Sequence, residues 1–465
     1  MTFLKKAKST LIGDKNFYAK VFAIVIPIII QNTITNVVSL LDNVMVGRVG
    51  TLQMTAVAIV NQIIFVYALC IFGGLSGAGI FSAQYAGAKD NTGLRYCMRM
   101  KLYIGLLMFI LAAVIFTFFD DKLISAYLAE DTSAEEVALT LGYAKSYLRI
   151  MLIGLFPFML SQAYSNTLRE VGETKFPMIA TFCAIFVNII FNYLLIFGTF
   201  GFPRLGVVGA AVATVLSRFV EAVIVITYSH IKTKRFEFFG GLFNSLKIPF
   251  DLVKKIIVKG MPLLINEFLW SLGVAVCLKC YSVRGLNVVA AFNISNTFAN
   301  LFNVAFISMG SAIAIMLGQV LGSGNTHKAM SVCWKLMALS VFVSIITGGI
   351  LALIAGVVPD IYNTTNEVKT LATHFLYVVV VTVPFHSFVH GCYFTVRSGG
   401  RTLITFLFDS IMMWAINIPL AFVLSKYTNL HIAVVFLAVE GIYLFKGIIG
   451  YILVKKGVWI RNLVS

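Results

Sequence analysis

Five acidic residues lie inside long apolar stretches of this 465-residue chain: Asp42, Glu221, Glu267, Asp409 and Glu440. A charge at the centre of a membrane helix costs about 2.5–3.5 kcal/mol on insertion scales, so such residues mark ion or substrate paths or structural pairs. The first apolar stretch, VFAIVIPIIIQNTITNVVSLLDNVMVG, carries Pro27, Gln31, Asn32 and Asn36 ahead of Asp42. At the helical rise, Asp42 stands about 33 Å beyond Lys20, in the outer third of a bilayer. Two readings follow: a cation-binding carboxylate, or, with Gly47 and Arg48 close behind, a carboxylate at the water interface. Hard cations take oxygen ligands, so a carboxylate supported by amide and hydroxyl oxygens would suit Na⁺, and one acid can equally carry one proton.

Glu267 follows Pro262 in LINEFLW and lies about 12 Å beyond Lys259 along its helix, with Asn266 beside it. It reads either as a second acid serving a cationic substrate or proton, or as a hydrogen-bonded structural group. Asp409 is also deep, and either lines a cavity or packs against His386 and His390. Those histidines lack acids or cysteines at ligand spacing and read as interior groups, not metal ligands. Glu221 is three residues from Arg218, a helical spacing that predicts an ion pair. Glu440 has no evident partner. Arg169, Glu170, Glu173, Arg397 and Arg401 recur at helix ends, as a closed-gate network or as solvated loop charges. Tyr164, Trp270, Tyr393 and Trp414 could offer ring faces to flat cations.

The elements that must position these groups are membrane helices. The chain is 59% hydrophobic and 12% charged, far from the quarter charged of a soluble domain. Twelve apolar segments are predicted, at 20–46, 53–81, 94–118, 138–163, 175–198, 206–229, 252–281, 286–320, 330–356, 370–395, 402–424 and 431–454. The formal charge of +17 comes from short basic tracts between these runs, which argues against nucleic acid and for encoded orientation. One loop is acidic (Asp120, Asp121, Glu130, Asp131, Glu135, Glu136) and lies opposite the basic loops, so both termini are expected in the cytoplasm. The first helix is too long and polar for a signal-peptide core and is expected to be retained. The seven cysteines are scattered and read as buried thiols.

The chain also repeats itself. In one ungapped register Pro27 falls on Pro262, Gly50 on Gly285, Ala56 on Ala291, Asn61 on Asn296, Gln84 on Gln319 and Gly87 on Gly322. Further on, TLREVGET (167–174) lies over TVRSGGRT (395–402), matching Arg169 with Arg397 and Gly172 with Gly400. Six helices separate equivalent positions, so the halves share one orientation and should be related by an axis along the membrane normal, with a cavity between them. The predicted fold is an all-α integral membrane protein of twelve transmembrane helices in two six-helix pseudo-symmetric lobes around a central cavity. Residues 1–229 would form the N-lobe, 230–251 a basic cytoplasmic linker and 252–465 the C-lobe.

Pro27 with Asp42, DNVMVGRVG and TAVAIVNQI, the Gln84–Gly87 helix end, RGLNVVAAFNISN, GQVLGSGN and GAAVAT together resemble the multidrug and toxic compound extrusion (MATE) family, with mixed DinF-like and NorM-like features. The similarity covers essentially the whole chain. The resemblance implies two lobes in a V that export cationic or amphiphilic compounds in exchange for H⁺ or Na⁺. It places a first-helix cation-site aspartate at Asp42 and maps its partners onto Asn188, Asn192 and Thr214. DinF-like members carry a second aspartate at the position of Asn192, so the neutral amide here puts a two-acid mechanism in doubt. NorM-like members have a seventh-helix glutamate, matched by Glu267 in helix and chemistry but not in register.

The major facilitator pattern is missing from the loop after the second helix, and no HExxH or GxSxG supports catalysis. The expected function is therefore a secondary active multidrug exporter, not an enzyme, with small organic cations as substrates. Its site would comprise Asp42, Asn188, Asn192 and Thr214 for cation coupling, Glu267, Asn266, Gln31 and Asp409 in a second acid or substrate cavity, and Pro27 and Pro262 as bending points. No cofactor beyond the coupling cation is expected. A monomer in the plasma-membrane bilayer is expected. A flippase for a lipid-linked precursor is the alternative on the same architecture, although it would want a cationic cavity for phosphate groups.

Overall fold

A computed structural model describes residues 11–128 and 133–465. Glu130 and Asp131 of the acidic loop and the basic residues of the first ten positions lie outside the described residues. Twelve helices are long and apolar enough to cross a membrane: α1 (Lys15–Gly47), α2 (Thr51–Ala88), α3 (Asn91–Phe118), α4 (Ala134–Glu170), α5 (Lys175–Phe197), α6 (Val207–Ile231), α7 (Phe250–Ser282), α8 (Leu286–Gly322), α9 (Thr326–Ile354), α10 (Asn366–Ser398), α11 (Thr402–Tyr427) and α12 (Ile432–Lys455). Each matches one predicted segment. Several, such as α2 and α4, continue well past the apolar run, because a started helix keeps satisfying its own backbone groups into the polar loop.

The residues cluster into two compact units. One holds 30–82 and 91–256, the other 1–29, 83–90 and 257–465. In the first unit α6 packs along both α4 and α5. In the second, α10 packs against α8, α9 and α12. The pairs α4–α6 and α10–α12 are repeat equivalents, so the same helix pairing is built twice. Residues Val21, Ile24, Val25 and Ile28 of α1 belong to the buried core of the second unit, with Met309, Ile313, Leu317 and Leu336. From Ile30 onward α1 belongs to the first unit, so it changes packing partners just after Pro27.

Prolines lie inside α1 (Pro27), α4 (Pro157), α7 (Pro262) and α10 (Pro384). A proline inside a helix removes one amide donor and clashes with the preceding turn, so each is a point of easy bending. Pro157 and Pro384 lie within one residue of the repeat register, a pairing that the sequence matches above pass over.

The structure explains two other repeated motifs. Gly87 of α2 faces the backbone carbonyl of Gln319, and Gly322 of α8 faces the carbonyl of Gln84. A Cβ at either glycine would collide with that backbone, so the paired Gln and Gly positions mark one reciprocal crossing of two helix ends. Gln84 is fully buried there, donating to the carbonyls of Ser398 and Arg461 at 3.0 and 3.2 Å and accepting from the Leu463 amide at 2.7 Å. Gly172 and Gly400, matched in the second motif, have φ of 91° and 72°, the left-handed region in which a side chain is strained.

Three expectations need correction. The cysteines are not all buried: Cys183 is exposed and Cys70 partly so, while Cys277 and Cys280 stand one turn apart on α7. Glu221 does not pair with Arg218 at ion-pair distance. It accepts instead from the Thr181 hydroxyl on the neighbouring helix at 2.6 Å, while Arg218 lies 5.1 Å over the Phe158 ring. Four of the repeated end charges have definite partners and are not simply solvated loop charges. Arg169 donates to Gln31 at 2.6 Å, Glu170 pairs with buried Lys101, Glu173 pairs with Arg235 at 2.7 Å, and Arg401 donates to the Val458 carbonyl at 3.2 Å.

Candidate functional site

Two polar clusters stand out, one in each unit. The first is built on α1, α5 and α6. Asn188 and Asn192 are one helical turn apart, so α5 presents both amides along one line. Asn192 Nδ2 donates to Asp42 Oδ1 at 2.6 Å and to Asn188 Oδ1 at 3.1 Å. Asn188 Nδ2 donates to Thr214 Oγ1 at 3.3 Å, and that hydroxyl donates to the Ala210 carbonyl at 3.0 Å. The four residues named for the first site are thus joined in one continuous chain of hydrogen bonds.

The electrostatics of this cluster are one-sided. Among the described residues no lysine, arginine or histidine lies within ion-pair distance of Asp42. Its supports are neutral. Asn192 is 1% exposed, and its Oδ1 is buried with no hydrogen-bond partner. An unfilled carbonyl oxygen next to a carboxylate, with a hydroxyl nearby, is an oxygen-rich place for a small hard cation. Tyr147, fully packed in α4, lies in electrostatic range of both Asp42 and Arg218 and donates to Asn61 at 3.4 Å. Nothing in the spacing of Tyr147 marks it for this cluster, although its partner Asn61 is one of the repeated polar positions.

Gln31 was grouped with the second acid cluster, but its bonds run elsewhere. Its Nε2 donates to Thr181 Oγ1 at 2.6 Å and its Oε1 accepts from Arg169 Nη2 at 2.6 Å. With Thr181 donating on to Glu221, an Arg169–Gln31–Thr181–Glu221 chain forms inside the first unit.

The second cluster is built on α7, α10, α11 and α12. Asn266 is 2% exposed and uses its whole amide. Its Nδ2 donates to Asp409 Oδ2 at 3.2 Å and to the Tyr393 hydroxyl at 3.3 Å, and its Oδ1 accepts from Ser410 at 2.7 Å. Glu267 lies beside Tyr393, with Arg397 and Asp409 in electrostatic range. Asp409 sits where α11 widens into π-helical turns, at 407–411 and 413–417, a distortion often found at functional positions. Buried Lys446 of α12 reaches Asp409 Oδ1 at 3.4 Å. The histidines do not take Asp409 as hydrogen-bond partner. His386 pairs with Glu440 at 2.6 Å, and His390 Nδ1 is buried without a partner.

Of the aromatics singled out, Tyr393 belongs to the second cluster and Trp414 donates to the Leu269 carbonyl at 3.0 Å. Tyr164 is stacked on Phe239 and bonded to His230, so its ring is already occupied. Lys446 and Glu440 could have found their partners in the sequence. Opposite charges on helices that the repeat pairs, such as α10 with α12, are the natural matches.

The comparisons agree with this architecture. The MatE family model matches residues 27–194 and 262–423. A Thermotoga maritima protein named "Probable multidrug resistance protein NorM" is 27% identical over 442 residues, covering 94% of this chain and 92% of that protein. A Bacillus subtilis protein named "Probable multidrug resistance protein YoeA" is 26% identical over 413 residues, covering 88% and 87%. Among solved structures, a variant of the Vibrio cholerae MATE transporter VcmN superposes with a TM-score of 0.86 at 17% identity, covering 98% of this chain and 99% of that one. A multidrug resistance MATE family transporter in an outward-facing conformation superposes with a TM-score of 0.83 at 19% identity, covering 94% and 95%. With its twelve apolar helices and a match running through both halves, the chain belongs to the MatE family and is a multi-pass membrane transporter of the MATE type.

Proposed function

We propose that this transporter is a secondary active exporter of cationic and amphiphilic small organic molecules, driven by inward movement of H⁺ or Na⁺. Asp42, Asn188, Asn192 and Thr214 form the coupling site. The observation that carries the reading is Asp42: a carboxylate on a membrane helix held only by neutral groups, next to the unfilled buried oxygen of Asn192. Such an acid is costly in hydrocarbon until a proton or cation neutralises it. The names of the relatives, both multidrug resistance proteins, support the substrate class.

In the cycle, Asp42 takes up the cation from outside, and α1 rearranges about Pro27. Substrate affinity must differ between the two states, since a cation that favoured neither would shift nothing. Each charge entering downhill supplies about 2.3 kcal/mol per 100 mV. Glu267, Asn266 and Asp409 serve the C-terminal half as a second polar surface, and Pro262 is the corresponding bending point. Both termini face the cytoplasm, the membrane is the plasma membrane and the working unit is a monomer.

The test is efflux of a cationic dye from proteoliposomes, with a pH gradient and a Na⁺ gradient imposed separately. One gradient alone should drive efflux, and Asp42→Asn should abolish it with insertion unchanged. Undiminished efflux by that variant would sink the coupling role. Movement of a lipid-linked phosphate precursor, with no dye efflux under either gradient, would put the flippase reading in its place.

A further inference from the structure

A basic cleft lies apart from both polar clusters, where the first two turns of α3 meet the segment joining α6 to α7. It encloses about 500 Å³ and is lined by Thr92, Arg95, Tyr96 and Arg99 of α3 with Gly240, Gly241, Asn244, Ser245 and Lys247. The joining segment is strapped to α3 by the two arginines. Arg95 donates to the carbonyls of Phe238, Glu237 and Gly240, the last at 2.7 Å. Arg99 donates to Leu242, Lys247 and Gly241 at 2.8, 3.0 and 3.2 Å. Carbonyls fix both guanidiniums without neutralising them, so three positive charges line one cleft and no carboxylate does. The carboxylate of Glu237, in the same segment, is engaged by Asn91, which donates to it at 2.7 Å.

Spare donors remain. Arg95 Nη1 and Lys247 Nζ have no hydrogen-bond partner among the described residues, and Arg99 keeps one unused N–H on each terminal nitrogen. The surroundings add a second indication. Phe243 and Leu246 of the joining segment and Phe250 at the start of α7 are 61%, 65% and 78% exposed. Lining residues in the first turns of a membrane helix lie at headgroup depth, and exposed apolar side chains beside basic ones fit the headgroup–acyl boundary. Tyr96, with the Arg99 guanidinium 5.8 Å over its ring, is a residue type common at that depth.

We infer that this cleft binds a phosphate group through Arg95, Arg99 and Lys247, with Thr92, Ser245 and Asn244 as neutral donors. Phosphate presents several charged oxygens to a fork of N–H groups already held in place. Two sources share that chemistry, the headgroup of an anionic phospholipid and free phosphate. The site needs neither Asp42 nor an ion gradient, so its fate is separable from the transport mechanism.

Delipidated full-length protein is to be incubated with phosphatidylglycerol, phosphatidylcholine or inorganic phosphate. Retained lipid is read by native mass spectrometry, and phosphate by protection against thermal unfolding. Phosphatidylglycerol should be retained over phosphatidylcholine, and Lys247→Glu or Arg95→Gln should each weaken retention about tenfold. Lys247→Glu keeps the backbone bond to Arg99 and should fold as the wild type does, so a weak Arg95→Gln fold leaves the test intact. Protection by inorganic phosphate that both variants lose assigns the cleft to free phosphate, and lipid retention without it assigns a headgroup. Equal binding by the wild type and both variants, or no binding of either ligand, overturns the proposal.

Discussion

The two polar clusters use the same residue types to opposite effect. In the first, one carboxylate is surrounded by two amides and a hydroxyl, and its charge is unbalanced. In the second, Asp409 shares a well-satisfied amide with Tyr393 and Ser410 and is met by the ammonium of Lys446. A carboxylate already balanced by a fixed cation gains little from binding another. An unbalanced one changes its free energy greatly when a proton or Na⁺ arrives. On the function proposed above, the charges divide their labour: Asp42 responds, and Asp409 holds.

Removing each acid breaks this comparison most directly. Asp42→Asn should lower dye efflux to the level of protein-free vesicles while leaving thermal stability at or above the wild type, since a costly charge has gone. Asp409→Asn should do the reverse, stranding Lys446 in the interior at a cost of about 3 kcal/mol. Thermal unfolding in detergent measures that cost, and Asp409→Asn with Lys446→Met should recover most of it, because no unpaired charge is then left in the interior. If Asp42→Asn were the destabilised variant and Asp409→Asn the inactive one, the assignment of roles would have to be exchanged.

Smaller effects should come from the crossing that the two halves share. Gly322→Val and Gly87→Val each drive a side chain into a backbone carbonyl, which cannot turn aside as a flexible side chain would. Each should cost about 1–3 kcal/mol, and their near-equality would show that the crossing is symmetric in energy as well as in residue type. Unequal losses in thermal unfolding, one near zero, would mean that one end relaxes freely.

Much of this was legible in the sequence for a physical reason. Hydrocarbon tolerates so few polar groups that Asp42, Asn266, Glu267 and Asp409 had to be singled out, whereas Asn188 and Asn192 were pointed to by the family resemblance, helical spacing adding only that they share one line. Spacing does not say which helix a face meets, and there the reading was incomplete. Glu221 looked paired with Arg218 along α6, but Thr181 on α5 offers its hydroxyl instead. Gln31 looked like a member of the second cluster and is bound to Arg169 and Thr181. Glu440 had no evident partner along its own helix, because His386 reaches it from α10. The π-helical turns around Asp409 leave no mark in residue pattern at all.

The subtlest prediction sharpens what the first cluster responds to. Thr214 supports the hydrogen-bond chain, contributing one hydroxyl that accepts from Asn188 and also lies against Tyr147. If the coupling ion is Na⁺, that oxygen is part of the coordination shell or fixes an amide that is, and Thr214→Val should raise the Na⁺ concentration needed for half-maximal efflux. Loss of one such interaction, about 1–1.5 kcal/mol, corresponds to roughly tenfold. If the ion is H⁺, only the carboxylate accepts it. Thr214→Val would then leave pH-driven efflux within about twofold of wild type, since RT near 0.6 kcal/mol makes an indirect loss of a few tenths that small. Measured under the two gradients separately, one conservative substitution thus distinguishes a cluster that coordinates from a cluster that protonates.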